Sequence, residues 1–210
     1  MPLISDIKPQ KKLRSGEPRF NIFIDGLFGF SLPAETLVKS GLKIGQQLSA
    51  EEIDKLVKEN DYLKYFNLVL KFISFRPRSG KEILDWLKRK DVGKSVQVMI
   101  LAKLKHLGYL DDEEFVKWWI EQRTTFRPSG KRAIEMELRQ KGISREVIEH
   151  GTHNMEHGTK EYDLAKKAIE KKLSLWKNLP PDKFRQKLSS FLARRGFSWE
   201  TIGRVIKETD

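Results

Sequence analysis

The 210-residue chain contains no cysteine. That absence excludes disulfide frameworks, thiol nucleophiles, Cys-ligated zinc and iron–sulfur clusters, and it fits a reducing cytoplasm. Long apolar runs are missing as well: none approaches the roughly 18 to 20 residues of a membrane span. The start, Met1-Pro2-Leu3-Ile4-Ser5-Asp6-Ile7-Lys8, lacks the apolar stretch of a leader. The expectation is a cytoplasmic protein with no membrane contact. No nucleophile elbow, phosphate-binding glycine loop or dinucleotide fingerprint occurs, so an enzyme reading lacks a centre and no cofactor is implied. Acidic side chains are in short supply, 29 against 41 basic ones, leaving a net charge of +12.

What is present suffices for a folded core: 39% of residues are hydrophobic and 10% aromatic. The positive excess is uneven, with net +2 over residues 1–75 and net +10 over residues 76–210. Charge of this sign steers polyanions inward, so nucleic acid or an acidic protein surface is the natural partner class. A lysine-rich solvated surface explains the composition equally well.

Along the chain, Arg19–Ile24 and Leu27–Leu32 flank Asp25-Gly26, the pattern of a β-hairpin with a type I′ turn. Pro33 to Ser40 reads as a short helix stopped by Gly41, and Ser49-Ala50-Glu51-Glu52 opens a helix through Val57 with capping-box spacing. Residues 1–60 are thus a small α/β unit, with 1 to about 18 expected to fray. From Tyr62 onward only helical spacing remains. A first helix should bury Tyr62, Tyr65, Phe66, Val69, Phe72 and Ile73. A second opens at Ser79-Gly80-Lys81-Glu82 and turns Ile83, Leu84 and Leu87 inward. A third carries Val96, Ile100, Leu104 and Leu107 and ends at Gly108.

This order recurs. At an offset of 51, Arg76-Pro77 returns as Arg127-Pro128, Ile83 as Ile134, Leu87 as Leu138, Lys90 as Lys141, Val92 as Ile143 and Val96 as Val147. At a further offset of 54, Leu138, Lys141, Gly142, Ile143 and Ser144 return as Leu192, Arg195, Gly196, Phe197 and Ser198. The fold expected is mostly α: three tandem three-helix repeats (about 61–110, 111–157 and 158–210) in an elongated, curved stack behind the 1–60 unit. The first helices of the later copies should run from Asp112 to about Thr125 and from Lys160 to about Leu175, and His150 to Gly158 reads as a linker.

His150, His153 and His157, with Glu149 and Glu156, offer imidazoles at zinc-like spacing, but Gly151 and Gly158 deny them a common helix face, and a polar loop is the better account. Asp111-Asp112-Glu113-Glu114 sits where a helix begins, so capping and the helix dipole explain it better than acid–base chemistry. Trp118 and Trp119 could stack bases, yet their helical positions favour packing. Basic residues return on all three middle helices: Lys81, Lys88, Arg89 and Lys90; then Arg127, Lys131, Arg132, Arg139 and Lys141; then Arg185, Lys187, Arg194 and Arg195. Stacked repeats could align them into one positive stripe.

With the copies laid out, the sequence resembles the RecX family, bacterial regulators of the RecA recombinase. The resemblance is carried by Gly108-Tyr109-Leu110-Asp111-Asp112-Glu113-Glu114-Phe115, by Arg123, Gly130, Ile134 and Glu137-Leu138, by Lys141-Gly142-Ile143-Ser144, and by Ser79, Glu82-Ile83-Leu84 and Leu87. It departs at Lys90-Asp91-Val92, where the second copy has Lys-Gly-Ile, and in residues 1–60, which shorter members lack. The resemblance implies a non-enzymatic regulator seated in the groove of the RecA filament on single-stranded DNA, restraining recombinase, ATPase and coprotease activities in DNA repair and the SOS response; a monomer is the separate expectation for its state. Double-stranded DNA is a second potential partner. The residues expected to meet RecA or DNA are Arg76, Lys81, Lys88, Arg89, Arg127, Lys131, Arg132, Arg139, Lys141, Arg185, Arg194 and Arg195. The rival reading is a helical DNA-binding protein acting without RecA.

Overall fold

The computed structural model describes residues 1–10, 18–155, 158–176 and 178–209. Three strands lead, β1 (Ile4–Pro9), β2 (Arg19–Ile24) and β3 (Leu27–Pro33). The helices follow: α1 (Ala34–Ser40), α2 (Ala50–Ser74), α3 (Gly80–Arg89), α4 (Lys94–His106), α5 (Asp112–Thr125), α6 (Lys131–Gln140), α7 (Arg145–Thr152), α8 (Gly158–Trp176), α9 (Pro181–Arg194) and α10 (Trp199–Thr209), with a 3₁₀ turn at His153–Met155. The fold is mostly helical. Two compact units divide it, Met1–Phe75 with Leu87–Lys103, and Arg76–Trp86 with Leu104–Asp210.

In the first unit the strands form an antiparallel sheet in the order β1-β2-β3. The hairpin turn is where the sequence puts it, with Asp25 and Gly26 at φ 48° and 83°, the positive pair that a type I′ turn requires. Ile22 faces Phe30 while Phe23 faces Phe28, so Gly29 is an extra residue, a bulge in β3. Alternation sends Ile4, Ile22, Phe30 and Leu32 into a core with Leu48, closed by Leu37 of α1 and Ile53, Leu56 and Val57 of α2.

Two expectations fail in this unit. Residues 4–9 are not frayed. They form β1, held to β2 on one side and, through Ile4 N to Gln46 O (2.9 Å) and Leu48 N to Pro2 O (2.9 Å), to the segment before α2 on the other. Pro2, Pro9 and the exposed Asp6–Lys8 pair mask the strand in sequence, because backbone pairing rather than apolar alternation holds it. Residues 11–17 of the expected frayed stretch lie outside the described residues. Nor does the helix opened by Ser49 stop at Val57: α2 runs unbroken to Ser74, its start closed by a reciprocal capping box between Ser49 and Glu52 (3.1 and 2.7 Å). The polar run Lys58-Glu59-Asn60-Asp61 reads as a boundary, but Asn60 is buried and accepts a hydrogen bond from Arg19 of β2 (3.1 Å). Of the six apolar residues expected inside on the second half of α2, Val69 is fully buried and the others half-buried.

The repeat is visible in backbone detail. Each middle helix ends in the same double closure: Asp91 N to Lys88 O with Val92 N to Leu87 O (3.0 and 3.2 Å), Gly142 N to Arg139 O with Ile143 N to Leu138 O (3.0 and 3.2 Å), and Gly196 N to Ala193 O with Phe197 N to Leu192 O (3.0 and 3.2 Å). This is a Schellman-type end, with the next residue (Val92, Ile143, Phe197) buried beneath it. It requires a left-handed residue, supplied by Asp91 (φ 54°), Gly142 (80°) and Gly196 (78°). In the second copy Phe115, Val116, Trp119, Ile134, Leu138, Ile143 and Ile148 form the core. In the third the core comprises Tyr162, Ala165, Ile169, Leu188, Leu192, Phe197, Ile202 and Val205.

Two further corrections follow. Leu107 lies beyond α4 and is exposed, although Val96, Ile100 and Leu104 are buried as expected. The stretch read as a linker from His150 is still α7 as far as Thr152. Thr152 is fully buried and donates to Ile148 O (2.8 Å), and Gly151 permits contact with Val116, whose Cγ1 would lie 2.4 Å from an added Cβ. Burial on α7 thus overrides the weak helix propensity of that glycine.

Replacing Asp91 by Gly should raise stability by about 0.5–1 kcal/mol by relieving the left-handed strain. Gly142→Ala should cost about 1–2 kcal/mol, and Gly196→Ala more, since its Cβ would meet the backbone N of Ala133 at 2.3 Å rather than the Lys81 side chain at 2.9 Å. Urea midpoints of the three variants test that ranking.

Candidate functional site

The basic residues of the middle helices fall into two physical groups. One belongs to joints within the second unit, where the N-terminal end of one middle helix receives the C-terminal end of the next. At the first joint Ser79 Oγ donates to Lys141 O (2.7 Å) and Lys81 Nζ to Gln140 O (2.9 Å). Glu82, the capping-box partner of Ser79, accepts both Arg76 guanidinium nitrogens (2.8 and 3.1 Å) and Lys141 Nζ (2.5 Å). Burial pushes the Glu82 carboxyl up, but the Arg76 and Lys141 hydrogen bonds outweigh it and hold the group at about 2.

The second joint repeats the docking with other donors. Gly130 N donates to Arg195 O (2.8 Å), and Arg195 Nη1 to Pro128 O (3.1 Å). Gly130 and Gly196 meet backbone to backbone, so an added Cβ on Gly130 would lie 2.3 Å from Gly196 O. Arg195 is held below the usual arginine range by burial and by the charges of Arg127 and Arg123. Lys141 and Arg195, equivalent in the repeat, therefore occupy equivalent places.

The tryptophans are packing residues, as their helical positions imply. Trp119 is buried, with Nε1 donating to Glu137 (2.8 Å), while Arg123 lies over its ring at 4.2 Å and binds Glu137 at 2.6 Å. Trp118 is half-buried, with Arg76 5.5 Å over its ring. Asp111 caps α5, accepting from Glu114 N (3.0 Å), so the acidic run is a helix start.

The remaining candidates point outward. Lys88 and Arg89 are exposed in the last turn of α3, Arg139 in that of α6 and Arg194 in that of α9. By the repeat offsets Lys88 corresponds to Arg139 and Arg89 to Arg194. Arg127, Arg132 and Arg185 are also exposed. Lys131 is half-buried, 3.8 Å from Glu135, which also takes Arg139 at 3.5 Å. Lys131, Arg132 and Arg204 line a cavity of about 520 Å³ together with Glu135, Glu161 and Glu200. Glu161 is committed there to Ser198 and Thr201 (2.6–2.9 Å), which fixes the start of α10.

Among the described residues no group of three or more His, Cys, Asp or Glu side chains is placed to hold a metal ion. His157 and Glu156 lie outside them. No described helix is long and apolar enough to cross a membrane. Sequence reasoning missed Glu82 and Glu137 as organising carboxylates. The Ser79–Glu82 capping spacing was the available signal for the first, but nothing local marks its second role as partner to Lys141.

The depressed Glu82 pKa carries a stability prediction. A carboxyl lowered from 4.5 to about 2 contributes stability that is present above pH 4.5 and lost as pH falls toward 2. The contribution is about 2–3 kcal/mol after allowing for partial solvent screening. Glu82→Gln should lose that stability at pH 7 and flatten the acid limb between pH 4.5 and 2, as read from urea unfolding at stepped pH.

Comparison with known proteins agrees with this architecture. Family descriptions match over residues 2–49 (Regulatory protein RecX N-terminal domain), 111–151 (RecX, second three-helix domain) and 159–206 (RecX, third three-helix domain). The match to residues 2–49 brings the N-terminal α/β segment within the family pattern. The Regulatory protein RecX of Bacillus licheniformis is 34% identical over 210 residues, spanning all of this chain and 78% of that protein. That of Bacillus subtilis is 34% identical over 212 residues, with the same two shares. A crystal structure of regulatory protein RecX superposes with a TM-score of 0.66 at 26% identity, covering 99% of this chain and 100% of that one. RecX from Lactobacillus salivarius shares the fold at a TM-score of 0.60 and 22% identity, over 72% and 98% of the two chains. Full-length identity and the shared three-helix pattern lead to one conclusion: the chain belongs to the RecX family of regulatory proteins.

Proposed function

We propose that this protein regulates the RecA recombinase by binding the RecA filament on single-stranded DNA, restraining ATP hydrolysis, strand exchange and coprotease activity during DNA repair and the SOS response. It acts in the cytoplasm, as a monomer and without chemistry of its own. The observation that carries the reading is the 34% identity to regulatory RecX proteins along the entire chain. The exposed cations add a physical rationale. Lys88, Arg89, Arg139 and Arg194 repeat at the C-terminal turns of the three middle helices. There they complement the helix dipoles and offer at least one contact per copy to a partner that is itself a repeating polymer. Several weak contacts made together multiply in affinity.

RecA-driven ATP hydrolysis on single-stranded DNA, titrated with the protein at low salt, tests this. The rate should fall as the protein is added, and the triple variant Lys88→Ala, Arg139→Ala, Arg194→Ala should need at least about tenfold more protein for the same effect, the equivalent of about 1.4 kcal/mol. An unchanged rate across the titration contradicts the proposal. Capture of RecA from nuclease-treated lysate separates it from DNA binding without RecA, since both readings give salt-dependent binding to DNA.

A further inference from the structure

The two joints of the second unit share their docking and differ in their anion. At the first, Arg76 and Lys141 close on one carboxylate, Glu82, the third residue of α3. Carried through the repeat, Arg76 becomes Arg127, Lys141 becomes Arg195, and Glu82 becomes Ala133, the third residue of α6. The second joint therefore keeps both cations and lacks the carboxylate that joins them in the first.

Among the described residues, neither cation has a carboxylate as ion-pair partner. Arg195 is tied to Pro128 O, next to Arg127, by a neutral carbonyl at 3.1 Å. Arg127 is exposed, with no ion-pair partner among the described residues. Glu137 bears on Arg195 but is already bonded to Arg123 (2.6 Å) and Trp119 (2.8 Å). Burial first, and then the charges of Arg127 and Arg123, lower the Arg195 pKa, with Glu137 acting in the opposite direction.

We propose that Arg127 and Arg195 form a binding site for a carboxylate from outside the chain, the side chain of an Asp or Glu in an acidic segment of a protein partner, seated where Glu82 sits in the first joint. The chain itself supplies the template: Glu82 shows that a planar two-oxygen anion satisfies an arginine fork and a second cation in this geometry. Replacing lysine by arginine at position 195 adds a second planar fork suited to the same shape. A tetrahedral phosphodiester is bulkier and would have to enter beside the tight contact of Gly196 on Ala133. The site is independent of the RecA reading and is tested with no recombinase present.

The test measures fluorescence anisotropy of a labelled ten-residue Asp/Glu peptide and, separately, of a labelled ten-nucleotide DNA strand. It compares the unaltered protein with Arg127→Ala, Ala133→Glu and Lys103→Ala. Lys103 is exposed and lies in the other compact unit, so it controls for the loss of one positive charge. Arg127→Ala should weaken the peptide about tenfold more than Lys103→Ala does, one charge-assisted contact's worth, and should weaken DNA no more than the control. Ala133→Glu, which supplies the carboxylate internally, should weaken the peptide to a similar degree while raising the urea midpoint. Equal peptide losses in Arg127→Ala and Lys103→Ala overturn the proposal. So does a DNA loss in Arg127→Ala that matches or exceeds the peptide loss, since the site would then be one for phosphate.

Discussion

Each middle helix ends in a left-handed residue, and in the second and third copies the carbonyl just before that residue is received by the start of the preceding copy's middle helix. Lys141 O takes the Ser79 hydroxyl and Arg195 O takes the Gly130 amide. Most else in the second unit follows from this contact. It demands backbone within van der Waals reach of a neighbouring helix, which Gly142 and Gly196 alone permit without displacing Lys81 or Ala133. It also satisfies carbonyls that a helix end would otherwise leave without partners. Burial of Ile143 and Phe197 beneath the turn then ties the joint to the core of each copy.

The contact also sorts the charge. A net +12 suggests a broad positive surface, but side chains adjacent to the joints are drawn inward. Arg76 and Lys141 are committed to Glu82, and Arg123 to Glu137 and the face of Trp119. These pairs are half-buried, so breaking one leaves a partly desolvated partner unmatched. The last-turn cations Lys88, Arg89, Arg139 and Arg194 remain in water, where each is worth little to stability and is available to a partner. Residues of one chemical type in one helix thus serve opposite ends, and their distance from the left-handed turn decides which.

Much of this was legible in sequence because it rests on local rules. The Asp25-Gly26 hairpin, the Ser49–Glu52 and Ser79–Glu82 capping boxes, the Asp111 cap and the 51- and 54-residue offsets all reappear as geometry. What failed depends on partners distant in sequence. Strand β1 exists because residues 19–24 and 46–48 hold its backbone, and α2 continues through a polar run because Arg19 reaches Asn60 across 41 positions. The same holds at the candidate site: Lys141 and Arg139 look alike in sequence, and only the position of Glu82, 59 residues before Lys141, separates a joint residue from an exposed one.

The divergence of the two joints shows how a repeat can hold its fold while freeing positions for other work. Docking needs a donor for one carbonyl and room for one close approach. A serine hydroxyl with a carboxylate clamp meets the need in one case, and a bare glycine amide in the other. The second joint closes on the Gly130 amide, with Arg195 Nη1 adding only a bond to the neutral Pro128 carbonyl, so its arginines are not needed to neutralise a buried acid. Two cations kept at such a joint, where each raises the cost of the other, are poor stabilisers in isolation. The counter-charge proposed to come from outside the chain gives a physical reason for their presence, at the position where Glu82 of the first joint is replaced by Ala133 in the second.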